Sequence, residues 1–398
     1  MHYRRFGKLD WQVSTLGFGA MRLPLLERGV YGDQGHDDKQ IDEAEATRML
    51  RRAIDLGVNY VDTAYVYHQE KSEGFVGRAL KDGYREKVRL ATKLPVWKVE
   101  KPDDTERLFC EQLDRLDVPA IDFYLIHALD EDSWKTTLDM KVLAWAEKAL
   151  VDGRIGHFGF SFHDDYEVFE KIIDGSDLWS FCQIQYNYMD GEYQAGTRGL
   201  EYAVDKGLAV VAMEPVRGGQ LARRPPEAVA AHWAAANAER EERGFAPRTP
   251  VEWALHWVWD HPAVSTVLSG MSTMEQVEQN VAAAAESAPQ ALTAAELSSY
   301  ALVREAYRGL TPVPCTACNY CMPCPNGVKI PDVFEIYNDR FLYDHLEMSR
   351  LYYSWLEEED RADKCIRCGE CEPKCPQKIE IMDWLEKAHA LLAPEVEK

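Results

Sequence analysis

The first part of the chain alternates short apolar runs with longer stretches in which apolar residues recur every three or four positions. The short runs predict β-strands, and the longer stretches predict amphipathic helices. Strands and helices that alternate in this way form βαβ units, whose strands lie parallel in one sheet. Eight such strands are predicted, at residues 14–19, 58–62, 88–93, 121–127, 157–160, 182–186, 208–213 and 264–268.

Eight strands joined by helices predict an α/β protein of the (β/α)8 type, the TIM barrel, in which the sheet closes on itself. Two further short runs, residues 3–6 and 11–14, flank Gly7-Lys8-Leu9-Asp10 and predict an N-terminal β-hairpin. We expect this hairpin to close the lower end of the barrel.

The composition changes after Pro289, and the chain divides into three predicted parts. Residues 1–288 form the barrel, residues 289–310 a linking helix, and residues 311–398 a small, mainly helical domain that holds most of the cysteines. In that domain, residues 333–357 predict an aromatic helical stretch. Residues 220–248 are rich in Ala, Glu and Arg, and we expect them to form an insertion over the barrel mouth.

The charge of the chain excludes some classes of partner. The formal net charge is −22, and so acidic a surface repels nucleic acid and anionic membranes. No apolar run is long enough to span a bilayer, and the N-terminal residues lead into no apolar segment of a signal peptide. We therefore expect a cytoplasmic protein that binds neither nucleic acid nor membrane.

Cysteines are concentrated near the C-terminus: ten are present, and eight of them lie between Cys315 and Cys375. Secreted proteins spread cysteines through the fold as disulfides, whereas closely spaced Cys-x-x-Cys pairs in a reducing compartment indicate metal binding. The other two, Cys110 and Cys182, fall in a predicted helix and a predicted strand, and we expect both in the core.

Four polar residues stand at or just after the ends of successive predicted strands. Asp62, Lys93 and His127 end three of these strands, and Tyr67 follows Asp62 in the next loop. In a barrel the carboxyl ends of the strands meet at one face, so residues distant in sequence can share one pocket.

These four residue types suit the reduction of a carbonyl group. A tyrosine hydroxyl can supply the proton, but its ordinary pKa is about 10. A lysine ammonium beside it lowers that pKa, and a carboxylate keeps the lysine charged and in place. A histidine can donate a hydrogen bond to the carbonyl oxygen. We therefore expect Tyr67 to be the general acid, Lys93 and Asp62 to tune it, and His127 to orient the substrate.

Three segments of the predicted barrel carry a resemblance to a known family. They are Tyr3-Arg4-Arg5-Phe6-Gly7 with Val13-Ser14-Thr15-Leu16-Gly17-Phe18-Gly19, then Asp62-Thr63-Ala64-x-x-Tyr67, and Ile121-Asp122-Phe123-Tyr124-Leu125-Ile126-His127. They resemble the hairpin and first strand, the Asp/Tyr motif and the histidine-bearing strand of the aldo/keto reductases. The resemblance implies the catalytic tetrad Asp62, Tyr67, Lys93 and His127, and an NADPH-dependent reduction of an aldehyde or ketone, or the reverse oxidation of an alcohol.

The resemblance also implies an extended NADPH across the barrel mouth, with NADH as the alternative. Residues near the nicotinamide ribose are Gly19, Ala20 and Met21, and those at its carboxamide are Ser161 and Gln183. The loop that meets the pyrophosphate contains Met213, Pro215, Val216 and Gly219. The helix start that binds the adenosine phosphate and adenine contains Gly270, Ser272, Gln276, Gln279 and Asn280, and a helix N-terminus suits that anion.

The chain departs from the family pattern at three places. Phe162 replaces the Asn that often follows the serine, and Met213 stands where an aromatic residue often stacks on the nicotinamide. No basic residue lies between Ser272 and Asn280 to meet the 2′-phosphate. The choice between NADPH and NADH therefore stays open.

The cysteine-rich domain contains two similar groups. The second, Cys365-x-x-Cys368-x-x-Cys371-x-x-x-Cys375-Pro376, has the spacing of bacterial ferredoxins, in which the fourth cysteine binds the other cluster. In the first, Cys315-x-x-Cys318-x-x-Cys321-x-x-Cys324-Pro325, the last gap is one residue shorter. We expect one [4Fe–4S] cluster on Cys315, Cys318, Cys321 and Cys375, and a second on Cys324, Cys365, Cys368 and Cys371, in a domain that resembles a helical dicluster ferredoxin.

Structural zinc is the alternative ligand, because Cys-x-x-Cys pairs also bind zinc. The Cys-x-x-Cys-x-x-Cys triplets argue against it. Basic residues crowd near these cysteines in an otherwise acidic chain, namely Lys329, Lys364, Arg367, Lys374 and Lys378. They offset cluster charge, receive an acidic redox partner, or are simply solvated.

Two functions are therefore considered. The first is an NADPH-dependent aldo/keto reductase that acts on a small carbonyl or alcohol substrate and carries clusters with a structural or electron-transfer role. The second is an electron-transfer protein that exchanges electrons with a ferredoxin-like partner. Nicotinamide delivers two electrons at once whereas a [4Fe–4S] cluster takes one, and we find no flavin motif that would link them.

Overall fold

Eight parallel strands close into a barrel in the computed structural model, which describes residues 1–26, 40–313, 315, 321–375 and 379–393. The chain forms two compact units: Met1–Ala222 with Arg248–Leu292, and Arg223–Pro247 with Thr293–Lys398. The first unit contains the barrel, so the predicted (β/α)8 fold is confirmed. Within the described ranges, no helix has both the length and the apolar character needed to cross a bilayer.

The predicted N-terminal hairpin is present and consists of β1 (Tyr3–Arg5) and β2 (Gln12–Ser14). Phe6 follows β1, is fully buried, and lies 4.8 Å from the ring of Phe123 and 5.7 Å from that of Phe181. Gly7 turns the chain with a φ of 55°, and a Cβ there would approach the backbone nitrogen of Ala209 to 2.7 Å. These contacts lie near the starts of the barrel strands, so the hairpin closes the lower end.

The barrel strands pair in chain order, and the last pairs with the first. They are β3 (Leu16–Gly19), β4 (Tyr60–Asp62), β5 (Arg89–Leu94), β6 (Ile121–Leu129), β7 (Ile155–Phe162), β8 (Trp179–Gln185), β9 (Ala209–Met213) and β10 (Val264–Gly270). Each predicted strand overlaps one of these. Apolar side chains fill both the barrel interior and the layer between the strands and the surrounding helices.

The first unit contains nine of the described helices. They are α1 (Glu43–Asp55), α2 (Ser72–Ala79), α3 (Asp103–Leu116), α4 (Glu131–Asp139), α5 (Val142–Val151), α6 (Tyr166–Asp174), α7 (Gly196–Asp205), α9 (Pro250–Asp260) and α10 (Met274–Ala285). Short 3-10 turns lie at Arg85–Lys87, Val96–Lys98 and Arg217–Ala222. Thr273 caps α10, since its Oγ1 accepts a hydrogen bond from the Gln276 backbone nitrogen at 3.2 Å.

The second unit begins with α8 (Glu227–Glu242), which the chain makes before the barrel is complete, and α11 (Ala294–Gly309), which follows the barrel. The ring of Trp233 on α8 lies 5.2 Å from that of Tyr300 on α11. Arg240 Nη1 and Glu296 Oε1 form a buried ion pair of 2.5 Å between the same helices. The predicted insertion at residues 220–248 therefore contains a helix that packs on the linking helix.

The rest of the second unit consists of short helices around a small apolar core. These helices are α12 (Ile330–Leu342), α13 (Leu346–Trp355) and α14 (Ile381–Leu392), with 3-10 turns at Glu358–Asp360, Ala362–Lys364 and Glu372–Lys374. The Asn338 amide pairs with both backbone groups of Val313, and Tyr353 Oη lies 2.9 Å from His389 Nδ1. Buried polar contacts thus join α12 and α14 to neighbouring segments.

The structure corrects two expectations, one about a side chain and one about a helix. Cys182 is buried as predicted, but Cys110 is exposed, because the buried side of α3 includes Leu108, Phe109 and Gln112 and not Cys110. The stretch predicted as helical at residues 333–357 is divided between α12 and α13, since the chain turns at Asp344 with a φ of 49°.

Candidate active site

The four predicted catalytic residues lie together at one rim of the barrel. Asp62 ends β4, Lys93 and His127 lie near the ends of β5 and β6, and Tyr67 lies in the loop before α2. Because the carboxyl ends of parallel strands meet at the same rim, these four side chains share one site.

Lys93 is at the centre of this site and has no exposed surface. Its Nζ donates to Asp62 Oδ1 at 2.6 Å, to the backbone oxygen of Thr63 at 2.8 Å and to Tyr67 Oη at 3.2 Å. An ammonium group has three hydrogens, so all of them are used. These contacts fix the positive charge beside the phenol.

The proton on Tyr67 is retained at neutral pH. Burial raises the pKa of Tyr67, and the nearby charge of Lys93 lowers it by a smaller amount. Burial lowers the pKa of Lys93, but Asp62 and Tyr67 more than offset this, so that pKa is raised. The lysine acts in the expected direction without producing a phenolate, and the phenol keeps a proton that it can donate.

His127 lies on the other side of Tyr67, with ring centroids 5.9 Å apart and ring planes at 81°. Burial lowers the pKa of His127 well below its ordinary value, and the charge of Lys93 adds to this effect. The imidazole is therefore neutral at pH 7. The half-exposed ring of Trp97 lies 5.2 Å from it, and this apolar wall of the site was missed in the sequence.

Three buried polar atoms at this rim have no hydrogen-bond partner among the residues that the structure describes: Asp62 Oδ2, His127 Nδ1 and Gln183 Oε1. Buried polar atoms in proteins are nearly always paired. Three such atoms at one rim are typical of a site that a polar ligand completes.

A network of buried polar side chains lies behind Lys93. Glu73 on α2 accepts hydrogen bonds from Thr92 Oγ1 and Gln112 Nε2, each at 2.6 Å. Gln112 Nε2 also donates to the backbone oxygen of Lys93 at 3.0 Å, and Gln112 Oε1 accepts from Tyr124 Oη at 2.7 Å. Burial raises the pKa of Glu73 against these bonds. The network joins β5, which carries Lys93, to α2 and α3.

The amino-acid sequence carries a signal for this network, although none of its members was predicted. Glu73 shares the buried side of α2 with Val76 and Gly77, and with Leu80, the residue that follows the helix. These positions are three, four and seven residues apart, which places an acid on the apolar face of an amphipathic helix. An acid in that position needs buried hydrogen-bond donors.

The residues expected at the nicotinamide lie on neighbouring strands. Ser161 pairs in register with Gln183, and Gln183 Nε2 contacts Met213 Sδ at 3.4 Å. Ser161 Oγ accepts a hydrogen bond from the backbone nitrogen of Ala128 at 2.7 Å, which leaves its hydroxyl hydrogen able to donate. Ser161 thus bonds to the residue after His127, and Gln183 contacts Met213 on the next strand.

The segment after β3 lies next to the tetrad. Gly19 pairs in register with Asp62 on one side and with Gly270 on the other. The Ala20 nitrogen donates to the backbone oxygen of Asp62 at 2.8 Å, and Met21 is exposed. The expected ribose contacts are thus at the same rim as the catalytic residues.

The loop after β9 is held by its own hydrogen bonds. Pro215 is buried, and the Val216 backbone oxygen accepts from the Gly219 nitrogen at 3.0 Å. Arg217 Nε donates to Asp190 Oδ2 at 3.1 Å, and Gly218 has a φ of 64°. These hydrogen bonds give the loop a defined conformation of its own.

The start of α10 contains the remaining expected cofactor residues. Gly270 ends β10, and the Ser272 nitrogen donates to Gln276 Oε1 at 2.7 Å. Gln279 Nε2 donates to Glu275 Oε1 at 2.9 Å, whereas Asn280 is buried and donates to Ser269 Oγ at 3.0 Å. Ser272 and Gln276 thus lie at the helix N-terminus, while the contact of Asn280 is with the end of β10.

In the second unit, a cavity brings five predicted cluster ligands together: Cys321, Cys324, Cys365, Cys368 and Cys371. This group includes the complete second ligand set. Cys315 and Cys375 contact the apolar core of the unit, and Cys318 lies outside the described residues. Across the described ranges, no three His, Cys, Asp or Glu side chains are arranged to hold a single metal ion.

Most of the basic residues near the cysteines have acidic partners. Lys329 pairs with Asp360 at 2.6 Å, Lys364 with Glu358 at 2.9 Å, and Arg367 with Asp383 at 2.5 Å. Lys374 lines the cysteine cavity, and Lys378 lies outside the described residues. Three of the five therefore do not offer a partner an uncompensated positive charge.

Comparison with known proteins gives two family matches. The model of the aldo/keto reductase family matches residues 15–295, and the model of the 4Fe-4S dicluster domain matches residues 314–380. The first match alone covers more than half of the chain.

Individual relatives agree with these matches. The chain is 27% identical to probable aldo-keto reductase 1 of Glycine max, over 71% of this chain and 84% of the relative. It is 27% identical to L-galactose dehydrogenase of Arabidopsis thaliana, over 77% and 96% respectively. The holo structure of aldo-keto reductase AKR11C1 from Bacillus halodurans is 28% identical, covers 76% of this chain and 96% of its own, and superposes with a TM-score of 0.60.

Proposed function

Because the chain belongs to the aldo/keto reductase family and ends in a 4Fe-4S dicluster domain, we propose that it is an NADPH-dependent oxidoreductase acting on a small carbonyl compound or the corresponding alcohol. The observation that carries the proposal is the bonding of Lys93 to both Asp62 and Tyr67 at the barrel rim. Oxidation of the alcohol is included because one of the relatives is named as a dehydrogenase.

Each residue of the tetrad has a role that follows from its contacts. Tyr67 Oη donates the proton to the substrate oxygen, and Lys93 stabilises the phenolate that remains. Asp62 holds Lys93 charged, since a buried ammonium requires a counter-charge. Neutral His127 donates a hydrogen bond to the substrate oxygen, and Trp97 provides an apolar wall beside it.

NADPH fits the polar atoms that are present at the rim, and when bound it would supply the hydride. Gln183 Oε1 is buried without a partner among the described residues and can accept from the carboxamide NH2. The Ser161 hydroxyl can donate to the carboxamide oxygen. The segments around Met213–Gly219 and Gly270–Gln276 would hold the rest of the molecule.

Replacement of Tyr67 by Phe tests the proposed acid. General acid–base catalysis contributes about 10²–10⁴-fold, so we expect a loss of that size in kcat, with NADPH affinity nearly unchanged. Tyr65→Phe is the matched control, because Tyr65 lies in the same loop but bonds to Glu111 at 2.8 Å. Full turnover by the Tyr67 variant would overturn the assignment.

We propose that the dicluster domain holds two [4Fe–4S] clusters with the ligand sets expected from the sequence. Thiolates are the preferred ligands of such clusters, and four cysteines of one set line a single cavity. Ile330, Met382 and Leu385 provide apolar surface in that cavity, which suits a cluster shielded from water.

Iron and sulfide analysis of anaerobically purified protein tests the clusters. About eight iron atoms per chain are expected, and Cys368→Ser should reduce this towards about four. Cys110→Ser, which changes an exposed cysteine outside the domain, should leave the content unchanged. Zinc in place of iron and sulfide would refute the proposal.

Electron transfer to a partner protein is the second candidate, and one observation favours it: Cys368 is exposed, so a cluster bound there would lie near the surface. Anaerobic addition of NADPH distinguishes the two candidates. Loss of the visible cluster absorbance would support transfer of electrons to the clusters, whereas an unchanged spectrum would leave them a structural role.

A further inference from the structure

Arg22 crosses the barrel mouth between the two loops expected to hold the cofactor phosphates. Its backbone oxygen accepts a hydrogen bond from Ser272 Oγ at 2.8 Å, which ties the residue to the segment before α10. A Cβ built on Gly270 would lie 3.1 Å from Arg22 Cβ and 3.2 Å from its Cγ and Cδ. The aliphatic part of Arg22 therefore lies directly over Gly270.

The charged end of Arg22 reaches the loop after β9. A Cβ built on Gly218 would lie 3.4 Å from Arg22 Nη2. The absence of a side chain at Gly270 thus leaves the space that the Arg22 stem occupies, whereas the guanidinium is in ordinary van der Waals range of a Cβ at Gly218. The guanidinium lies against the loop expected to meet the pyrophosphate, and the start of α10 lies beneath its stem.

The charges nearby explain why this arginine matters. The segment from Ser272 to Asn280 contains no basic residue. A pyrophosphate carries two negative charges, and a guanidinium binds such oxygens with two parallel hydrogen bonds.

We propose that Arg22 binds the pyrophosphate of the nicotinamide cofactor, and that Gly270 lacks a side chain so that the stem of Arg22 can lie across it. This inference rests on the proposed function, since it requires that the chain bind NADPH or NADH. It assigns the guanidinium to a group that both cofactors share. Arg22 therefore contributes affinity without selecting between them.

Replacement of Arg22 by Gln, with equilibrium binding followed by cofactor fluorescence, tests the proposal. Loss of a charge-assisted bidentate contact should weaken NADPH and NADH alike, by about 10- to 100-fold. The cofactor affinity of Arg22→Lys should fall between those of the wild type and Arg22→Gln, because lysine keeps the positive charge but cannot make two parallel hydrogen bonds. Reduced nicotinamide mononucleotide, which has no pyrophosphate, should bind the wild type and Arg22→Gln equally.

A second variant reaches Arg22 without changing it. Gly270 is not in the left-handed region, and the three atoms nearest to the methyl group added by Gly270→Ala all belong to the Arg22 stem. We expect Gly270→Ala to weaken both cofactors in the wild-type background and to have no further effect in Arg22→Gln. Additive losses in the double variant would contradict the proposed contact.

The outcomes separate this inference from the proposed function. A wild-type protein that binds neither cofactor would overturn both. Normal binding by the wild type with unchanged affinity in Arg22→Gln would overturn the inference alone. A loss confined to NADPH would also overturn it, because the guanidinium would then bind the 2′-phosphate.

Discussion

Lys93 and His127 are neighbours at the catalytic rim, and burial disfavours the charged form of both, yet Lys93 is charged and His127 is neutral. Lys93 keeps its proton because Asp62 lies 2.6 Å away and compensates for the loss of water. No carboxylate of the described part of the chain has this role for His127, so burial and the charge of Lys93 both favour its neutral form. The site therefore offers one fixed cation and one neutral hydrogen-bonding ring.

The lowered pKa of His127 predicts an acid-sensitive contribution to stability. In the unfolded chain His127 takes up a proton below about pH 6.5, whereas in the folded protein it stays neutral to lower pH. The unfolded state thus binds more protons, and stability falls as the pH drops below that value.

Urea unfolding at several pH values measures this contribution. His127→Asn should lose less stability on acidification than the wild type does, whereas His2→Asn, at an exposed position, should follow the wild type. Identical pH dependence in the wild type and His127→Asn would contradict the assignment.

The catalytic tetrad could be predicted from the sequence because each member stands at or just after a strand end. Supporting residues were harder to predict. Thr92 lies in an apolar strand and Gln112 in a helix, and nothing local shows that both bond to Glu73. Arg22 precedes a segment rich in charges, and nothing local in the sequence shows that its side chain lies over Gly270.

Helices α2 and α3 meet at Gly77, where the helix backbones come closest. A Cβ on Gly77 would lie 2.5 Å from the backbone oxygen of Leu116 and 2.7 Å from its carbonyl carbon. Backbone atoms at the end of α3 cannot move aside as a flexible side chain can. The glycine therefore sets the separation of the two helices that carry Glu73 and Gln112.

Gly77→Ala should destabilise the protein by about 1–3 kcal/mol through overpacking. Alanine in a helix is ordinarily more stable than glycine by about 1 kcal/mol, so the sign of the effect is informative. Gly74→Ala in the same helix is the control, because its Cβ would meet only the flexible end of Arg78 at 3.3 Å and the Arg115 backbone oxygen at 4.0 Å. Urea denaturation should show a loss for Gly77→Ala and no loss for Gly74→Ala.

Strand positions were predictable because short apolar runs bounded by turns locate them within a few residues. The ends of the strands were less predictable. Strand β6 continues to Leu129, beyond the predicted residue 127, because Leu129 pairs with Phe162 after a register shift. The break between α12 and α13 was not visible, since apolar residues keep a helical spacing on both sides of Asp344.

At the scale of the whole molecule, the chain passes between its two units three times, after Ala222, Pro247 and Leu292. The family match to residues 15–295 is continuous across all three of these points. Sequence similarity therefore does not reveal that α8 packs with α11, because the contacts between them join residues far apart in sequence. Arg240 and Glu296, for example, are 56 positions apart.

The buried ion pair between Arg240 and Glu296 predicts a strong dependence of the second unit on both partners. Arg240→Met alone should cost about 3–5 kcal/mol because it leaves the Glu296 charge buried, whereas replacement of both residues by apolar ones should cost much less. Asp344→Asn, which removes an exposed partner of Arg340, should cost less than about 1 kcal/mol. Chemical unfolding followed by tryptophan fluorescence gives these values, and equal losses in the single and double variants would contradict the expectation.

The pairing of α8 with α11 also has a consequence during synthesis of the protein. The ribosome makes the buried residues of α8, among them Trp233, well before it makes α11 and the Tyr300 ring that Trp233 packs against. At about 5–20 residues per second, the nascent chain carries this apolar surface uncovered for on the order of several seconds. A chain whose translation stops at the end of the barrel would keep that surface open to aggregation and to chaperones.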